Sequence, residues 1–399
     1  MLGLTIKDFV MHSKIFKRRA FLKIAALSMS GFYPSLNSYA VKTKAPFYSV
    51  DRSGVLRDPD ENGVMLPEGF KSRIVARSGQ APIDNSAYVW HPAPDGGACF
   101  ETKDGGWIYV SNSEVGNHGG GVGALRFNEA GEKIDAYSIL QNTTQNCAGG
   151  STPWGTWLSC EETDRGQIFE CDPLGESAAK VRPALGVFKH EAVAVDLTGG
   201  ALYLTEDLPD GGLYRFVSEK GLPDLTAGKL EIASLVERSG SSYLSWHEIP
   251  DPLADKAPTR DQVGPRASFN GGEGIVCHEG QVFFTTKGDN RVWCYDTRSG
   301  EINIIYDIRK SKDAILSGVD NLTITPSGDV LVAEDGGNMQ IVAITPNHQI
   351  IPIVQVVGHE RSEICGPAFN TSHDRLYFSS QRGQTGANSD GVIFEISRV

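Results

Sequence analysis

Short apolar runs recur along the chain, in segments such as WIYVSN, TWLSC, ALYLTE, QVFFTT, VLVAE and RLYFSS, and Gly, Asp or Asn turns separate them. Runs of this length bounded by turn residues predict β-strands. Aligned on their turns, they fall into a repeated unit: an apolar strand, a turn, a second apolar strand ending in acidic or polar residues, and a third strand. The units end at Glu114, Glu162, Asp207, Asp289, Asp335 and Gly383, most of them about 45 to 48 residues apart. That period suits four-stranded propeller blades. The six units therefore predict an all-β fold, a six-bladed β-propeller forming one domain over residues 41–399. A large β-sandwich would bury the same runs without explaining why acids recur at one point of each unit. The longer gap between Asp207 and Asp289 predicts an insertion over 217–269 with little strand alternation.

In a propeller the first strand of each blade lines the central channel, so corresponding residues converge. One ring would contain Cys147, Glu191, Glu273, Asp320 with Asn321, and Cys365 with Gly366. A second set, at the ends of the return strands, contains Glu161 and Glu162, Glu206 and Asp207, Lys287 with Asp289, Glu334 and Asp335, and Gln381 with Arg382, and Glu114, where the first unit ends, is a further candidate ligand. A strand, turn and return strand bring both sets to the same mouth.

Carboxylates gathered this closely repel one another unless cations neutralise them, and bound metal is the simplest remedy. Oxygen clusters favour calcium, whereas a thiolate among carboxylates suits iron. The run NCAGGSTPWGTWLSCEE concentrates these signals, with Cys147 at one end and Glu161 and Glu162 at the other. Taken singly, each acid serves equally well as a solvated blade-turn cap; the matched set favours ligands. Lys287 and Arg382 replace acids at blade ends, as countercharges for an anionic substrate or as charge balance within the ring. His190 beside Glu191 would point to the opposite face of an alternating strand, which favours a structural role.

The whole sequence carries a net charge of −12, while the first forty residues hold six Lys or Arg and one Asp. The remainder is strongly acidic, which argues against nucleic-acid partners. After Arg18 and Arg19 an apolar run leads to the small-x-small signal Ser38-Tyr39-Ala40. KRRAFLK, from Lys17 to Lys23, is similar to the twin-arginine consensus apart from Lys17. Residues 1–40 are therefore expected to be a twin-arginine-type export signal, read by that export machinery and leaving no stable membrane anchor after cleavage. The seven cysteines leave at least one thiol unpaired in an oxidising compartment. Cys147 is the candidate for it, and Cys277 and Cys294 could face each other across a hairpin.

The Cys147 run, HEAVAVD, YLTEDLPDGGLYRF, the GEG of Gly272 to Gly274 and VDNL…VLVAEDG, in this order, resemble the PhoX family of alkaline phosphatases. The resemblance implies a periplasmic six-bladed propeller that hydrolyses small phosphate monoesters with Fe3+ and Ca2+ ions bridged by an oxo group. It further implies Cys147 as an iron ligand, Glu191, Glu273 and Glu334 completing the metal cluster, and Glu162 and Asp207 as calcium ligands. One departure is Gly271, where long members of the family carry a phosphate-contacting Arg; Lys287 or Arg382 would substitute. Two alternatives are a calcium-dependent lactonase-type hydrolase, which has no need of Cys147, and a non-catalytic periplasmic metal-binding propeller.

Overall fold

Strands such as Val330–Glu334 and Gln340–Ile344 are buried along their whole length, because each sheet packs on both faces. In the computed structural model Leu331 and Ala333 join one apolar core while Val330 and Val332 join another. Alternation along a strand thus feeds two cores rather than one core and solvent, which is why these runs read as continuously apolar. The described residues are 47, 49–311 and 314–399. The expected export signal, with Arg18, Arg19 and Ser38-Tyr39-Ala40, lies outside them.

Six antiparallel sheets of four or five strands make six blades. Their inner strands are Pro94–Glu101, Asn146–Ser151, His190–Asp196, Gly272–His278, Val319–Ile324 and Ile364–Phe369, numbered here as blades 1 to 6. Each inner strand contacts the next, and the sixth contacts the first, so the ring is closed. One apolar cluster fills each of the six blade interfaces. At about 25 cal/mol per Å² of apolar area removed from water, these clusters are the main source of stability.

The sequence did not announce how the ring closes. Phe70–Arg77, far from the C-terminus in sequence, pairs with Val392–Arg398 as the outer strand of blade 6, and Val64–Met65 adds an edge to blade 5. Two other expectations need correction. The segment 217–269 is not devoid of strands: Gly228–Arg238 and Ser241–Glu248 form a hairpin that gives blade 3 its fourth and fifth strands. Cys277 and Cys294 do not face each other, because Cys277 lies opposite Val282 and Cys294 opposite Phe283, two strands apart. All seven cysteines are free.

A candidate metal centre at one mouth of the channel

The register of every inner strand slips once against its neighbour, at the same level of the ring. The residues passed over are Asp95-Gly96, Cys147-Ala148, Glu191-Ala192, Glu273-Gly274, Asp320-Asn321 and Gly366-Pro367. A bulge re-aims the side chain it carries, and the first bulge position is an acid or thiol in five of the six blades. Glycine in the second position has a packing cause. A Cβ on Gly96 would stand 2.6 Å from Ala148 Cα, and one on Gly274 2.6 Å from Asn321 Cα.

Side chains from the return strands pin the bulges of the next blade. The Asn112 amide donates to Cys147 O at 2.9 Å and Ala148 O at 2.6 Å, while its Oδ1 accepts from Trp157 Nε1 and Ser159 Oγ, each at 2.9 Å. Thr205 and Thr285 hydroxyls donate to the carbonyls of Glu273 and Asp320. The aromatic residue this network needs is Trp157; Trp154 instead binds Glu170.

The convergence yields four groups whose ligand atoms lie within 4.8 Å of one another: Asp95, Glu114 and Cys147; Cys147, Glu162 and Glu191; Glu191, Glu273 and Asp320; Asp320, Glu363 and Cys365. Cys147 Sγ donates to Glu191 Oε1 at 3.3 Å. Basic side chains stand over them. Lys189 Nζ lies 2.8 Å from Glu162 and 3.1 Å from Asp207; Lys287 Nζ lies 2.9 Å from Glu273 and 3.4 Å from Asp335; Arg382 lies 2.7 Å from Glu363 and 4.0 Å from Glu114. Gln381 donates to both Asp95 and Glu114.

Burial is the largest cause of the shifted ionisations here, with carboxylate repulsion adding to it. Asp95 is pushed up to about 6, beside Glu114, and Glu363 to about 8, near Asp335 and Asp95. Burial takes Glu273 to about 7 against the pull of Lys287, and Glu162 to about 9. Glu191 and Asp320 lie well above the carboxylate range, through burial and then Glu273, and the Cys147 and Cys365 thiols are pushed well up by burial and by Asp95. Without a further cation these groups release their protons at higher pH than free carboxyls and thiols do.

The donor set fits metal ions. Hard carboxylates are mixed with two soft thiols, as calcium and iron respectively require. Glu191, 1% exposed, has an Oε2 with no hydrogen-bond partner, and leaving such an oxygen unsatisfied is costly. Beyond the bulges the channel opens into a cavity of about 400 Å³ with no carboxylate in its wall, so the charge is confined to one mouth.

Of the residues expected from sequence, the structure brings Cys147, Glu162, Glu191, Glu273, Asp320 and Glu114 into these groups. It does not bring in Glu334. Its oxygens accept the backbone N–H of Ser317 at 2.8 Å and of Gln340 at 2.9 Å, which ties the end of the strand to blade 5. Glu161 holds the N–H groups of Thr144 and Gln167, and Glu206 that of Gly212, in the same way. In each acidic pair the first residue braces its own blade and the next, Glu162, Asp207 or Asp335, turns to the mouth. Asp207 stands at the rim outside the four groups. Asn321 is also outside them, donating to Asp320 Oδ1 at 3.0 Å and accepting from Gly366 N at 2.8 Å; it orients Asp320. His190 is structural, packed at a tilt against Phe188 and bonded through Nε2 to Gly186 O at 3.0 Å.

Glu334→Gln removes one of two acceptors for buried N–H groups. It is expected to lower stability by about 1–3 kcal/mol and leave metal content unchanged, as read by denaturant melts alongside elemental analysis. A loss of metal would return Glu334 to the ligand set.

Sequence reasoning missed Asp95, Glu363 and Lys189. Asp95 was legible as the acid before Gly96-Gly97, in the place Cys147 holds before Ala148-Gly149. Glu363 and Lys189 sit just before the bulge positions of their blades, and the unit pattern gave no sign of them.

Residues 121–168 and 164–307 match the family model described as alkaline phosphatase PhoX. No curated protein sequence matches the chain. Among solved structures, PhoX of Pseudomonas fluorescens in complex with vanadate, a transition state analogue, is similar at a TM-score of 0.71 and 17% identity, covering 84% of this chain and 96% of that one. A Bacteroides thetaiotaomicron protein of unknown function is similar at a TM-score of 0.51 and 9% identity, covering 82% and 76%. The six-bladed fold is thus one that solved structures share.

Proposed function

We propose that this chain, whose residues 121–168 and 164–307 match the alkaline phosphatase PhoX family model, hydrolyses phosphate monoesters at the acid-lined mouth, with calcium and iron held there. The observation that carries this reading is the convergence of four acid and thiol groups beneath three basic side chains at a single mouth. Cys147, Glu162, Glu191, Glu273, Asp320 and Glu114, with Asp95, Glu363 and Cys365, would hold the ions. When bound, such ions act as Lewis acids toward phosphoryl oxygens and make a water-derived nucleophile available near neutral pH. Cys147 and Glu191 would hold such ions in their deprotonated forms.

Lys287 and Arg382 bind the substrate's phosphate. Each is paired with acids at the mouth, and each can exchange a carboxylate for a phosphate oxygen; the guanidinium can do so through two N–H groups. Lys287 N–H donates to Gly271 O at 2.8 Å, so its side chain leaves the same corner of blade 4 where the resemblance places an Arg. Gly271 itself has a φ of +68°, and a Cβ there would stand 3.3 Å from Asp207 Oδ1. The corner therefore suits glycine, with the charge supplied from Lys287. Residues 1–40 direct export to the periplasm by the twin-arginine route, and among the described residues no helix is long and apolar enough to cross a membrane.

Protein loaded with iron and calcium is expected to hydrolyse p-nitrophenyl phosphate at alkaline pH. Arg382→Ala and Lys287→Met should each lower kcat/KM by about 10- to 100-fold, the equivalent of a charge-assisted hydrogen bond. A full metal complement without turnover would leave a non-catalytic metal-binding propeller. One divalent ion, no iron and lactone hydrolysis would leave the lactonase.

A further inference from the structure

Lys189 precedes the inner strand of blade 3, and its ammonium lies between a carboxylate of its own blade, Asp207, and one across the blade boundary, Glu162. Nζ lies 2.8 Å from Glu162 Oε1 and 3.1 Å from Asp207 Oδ2. A calcium ion bridging this pair would sit 2.3–2.6 Å from an oxygen of each, roughly where the nitrogen is. Ammonium and divalent ion cannot share that point, because two cations in contact repel strongly in a partly buried site. Lys189 also lacks the room to leave cheaply: it is three-quarters buried, and withdrawing it strands two acids.

The other two cations of the mouth are more exposed than Lys189: Lys287 also pairs an acid of the groups, Glu273, with one outside them, Asp335, whereas Arg382 pairs two acids of the groups, Glu363 and Glu114. Asp207 belongs to none of the groups. The orphaned oxygen that asks for a metal, Glu191 Oε2, lies within the groups.

We propose that Lys189 is a resident cation, taking the place of a metal ion between Glu162 and Asp207, so that the metals of this protein are confined to the four inner groups and Asp207 binds none. The proposal rests on the metal centre of the phosphatase reading, and it departs from the resemblance, which implies that Glu162 and Asp207 hold calcium. Lys189 acts here as a positioning residue: it fixes where metal ends and side-chain charge begins.

The test is the number of ions per chain in the full-length exported protein, measured by elemental analysis after loading with calcium and iron. Lys189→Met is expected to bind one more divalent ion than the unaltered chain, because two neighbouring carboxylates lose their countercharge. Asp207→Asn, with Lys189 in place, is expected to leave the count unchanged, and the double variant to return to it. Loss of one ion in Asp207→Asn would overturn the proposal, as would an unchanged count in folded Lys189→Met. If Lys189→Met does not fold, Asp207→Asn decides alone. Because the readout is a count, absence of p-nitrophenyl phosphate turnover would sink the phosphatase reading while leaving this one standing.

Discussion

Glu191→Gln is expected to strip metal from the centre and to lower phosphatase turnover by about three orders of magnitude. Glu191 belongs to two of the four groups, joining Cys147 and Glu162 on one side to Glu273 and Asp320 on the other. It is fully buried, and its Oε2 has no protein partner. The amide keeps the size while losing the charge and one acceptor, so a shared ligand is lost without a cavity. Metal ions contribute several kcal/mol of charge stabilisation in the transition state, and each 1.36 kcal/mol is tenfold in rate. Cys147→Ala should lower iron content and activity together, since carboxylates alone favour harder ions. Elemental analysis and p-nitrophenyl phosphate kinetics on the same preparations check both, with Glu334→Gln as the control that keeps its metal. Unchanged ion content in Glu191→Gln would remove this residue from the centre.

Chelated protein is expected to lose stability as pH rises from about 5 to 9, the reverse of ordinary acid denaturation. The sign follows from the raised carboxyls. Asp95 at about 6, Glu273 at about 7, Glu363 at about 8 and Glu162 at about 9 keep their protons in the folded chain. In the unfolded chain they lose them near the usual value of about 4. Over this interval the folded state binds more protons, so unfolding becomes easier with each step up in pH. One pH unit of delay for one buried carboxyl corresponds to about 1.4 kcal/mol, and four such groups amount to several kcal/mol even after allowing for their mutual coupling. Bound ions replace the protons, so loaded protein should not show the decline. Thermal melts in chelator at pH 5.5 and 8.5 provide the measurement; a melting temperature that is flat or rising between them would contradict the assignment of these acids to one cluster.

Both results depend on residues the sequence exposed unequally. Cys147, Glu191, Glu273 and Asp320 were legible because the unit repeats, and residues at one point of a propeller repeat must meet. Glu334 looked equivalent to Glu162 because both end a return strand in an acidic pair. What separates them is phase: Glu334 corresponds to Glu161, each opposite the first residue of its inner strand, Val319 or Asn146. A shift of one residue turns a side chain from the mouth toward the N–H groups of its own blade.

Other features left no local trace. The outer strand of blade 6 comes from Phe70–Arg77, 315 residues before its partner Val392 by the Arg77 pairing, and nothing in either segment names the other. Lys189 reads as a lone cation ahead of HEAVAV; only its reach across a blade boundary makes it a countercharge. The hairpin within 217–269 was hidden because Ser, Glu and His are interspersed with few apolar residues in Ser241–Glu248, the half-buried outer strand of blade 3.

The sequence by itself determined the number of blades and the residues at the first bulge position in four of them, since both follow from a period and a pattern of apolar runs. Tertiary structure decided which acid of each pair faces the mouth, which cation spans two blades and how the ring closes. These depend on a one-residue slip in register and on contacts between distant segments, and neither is encoded in local hydrophobic periodicity.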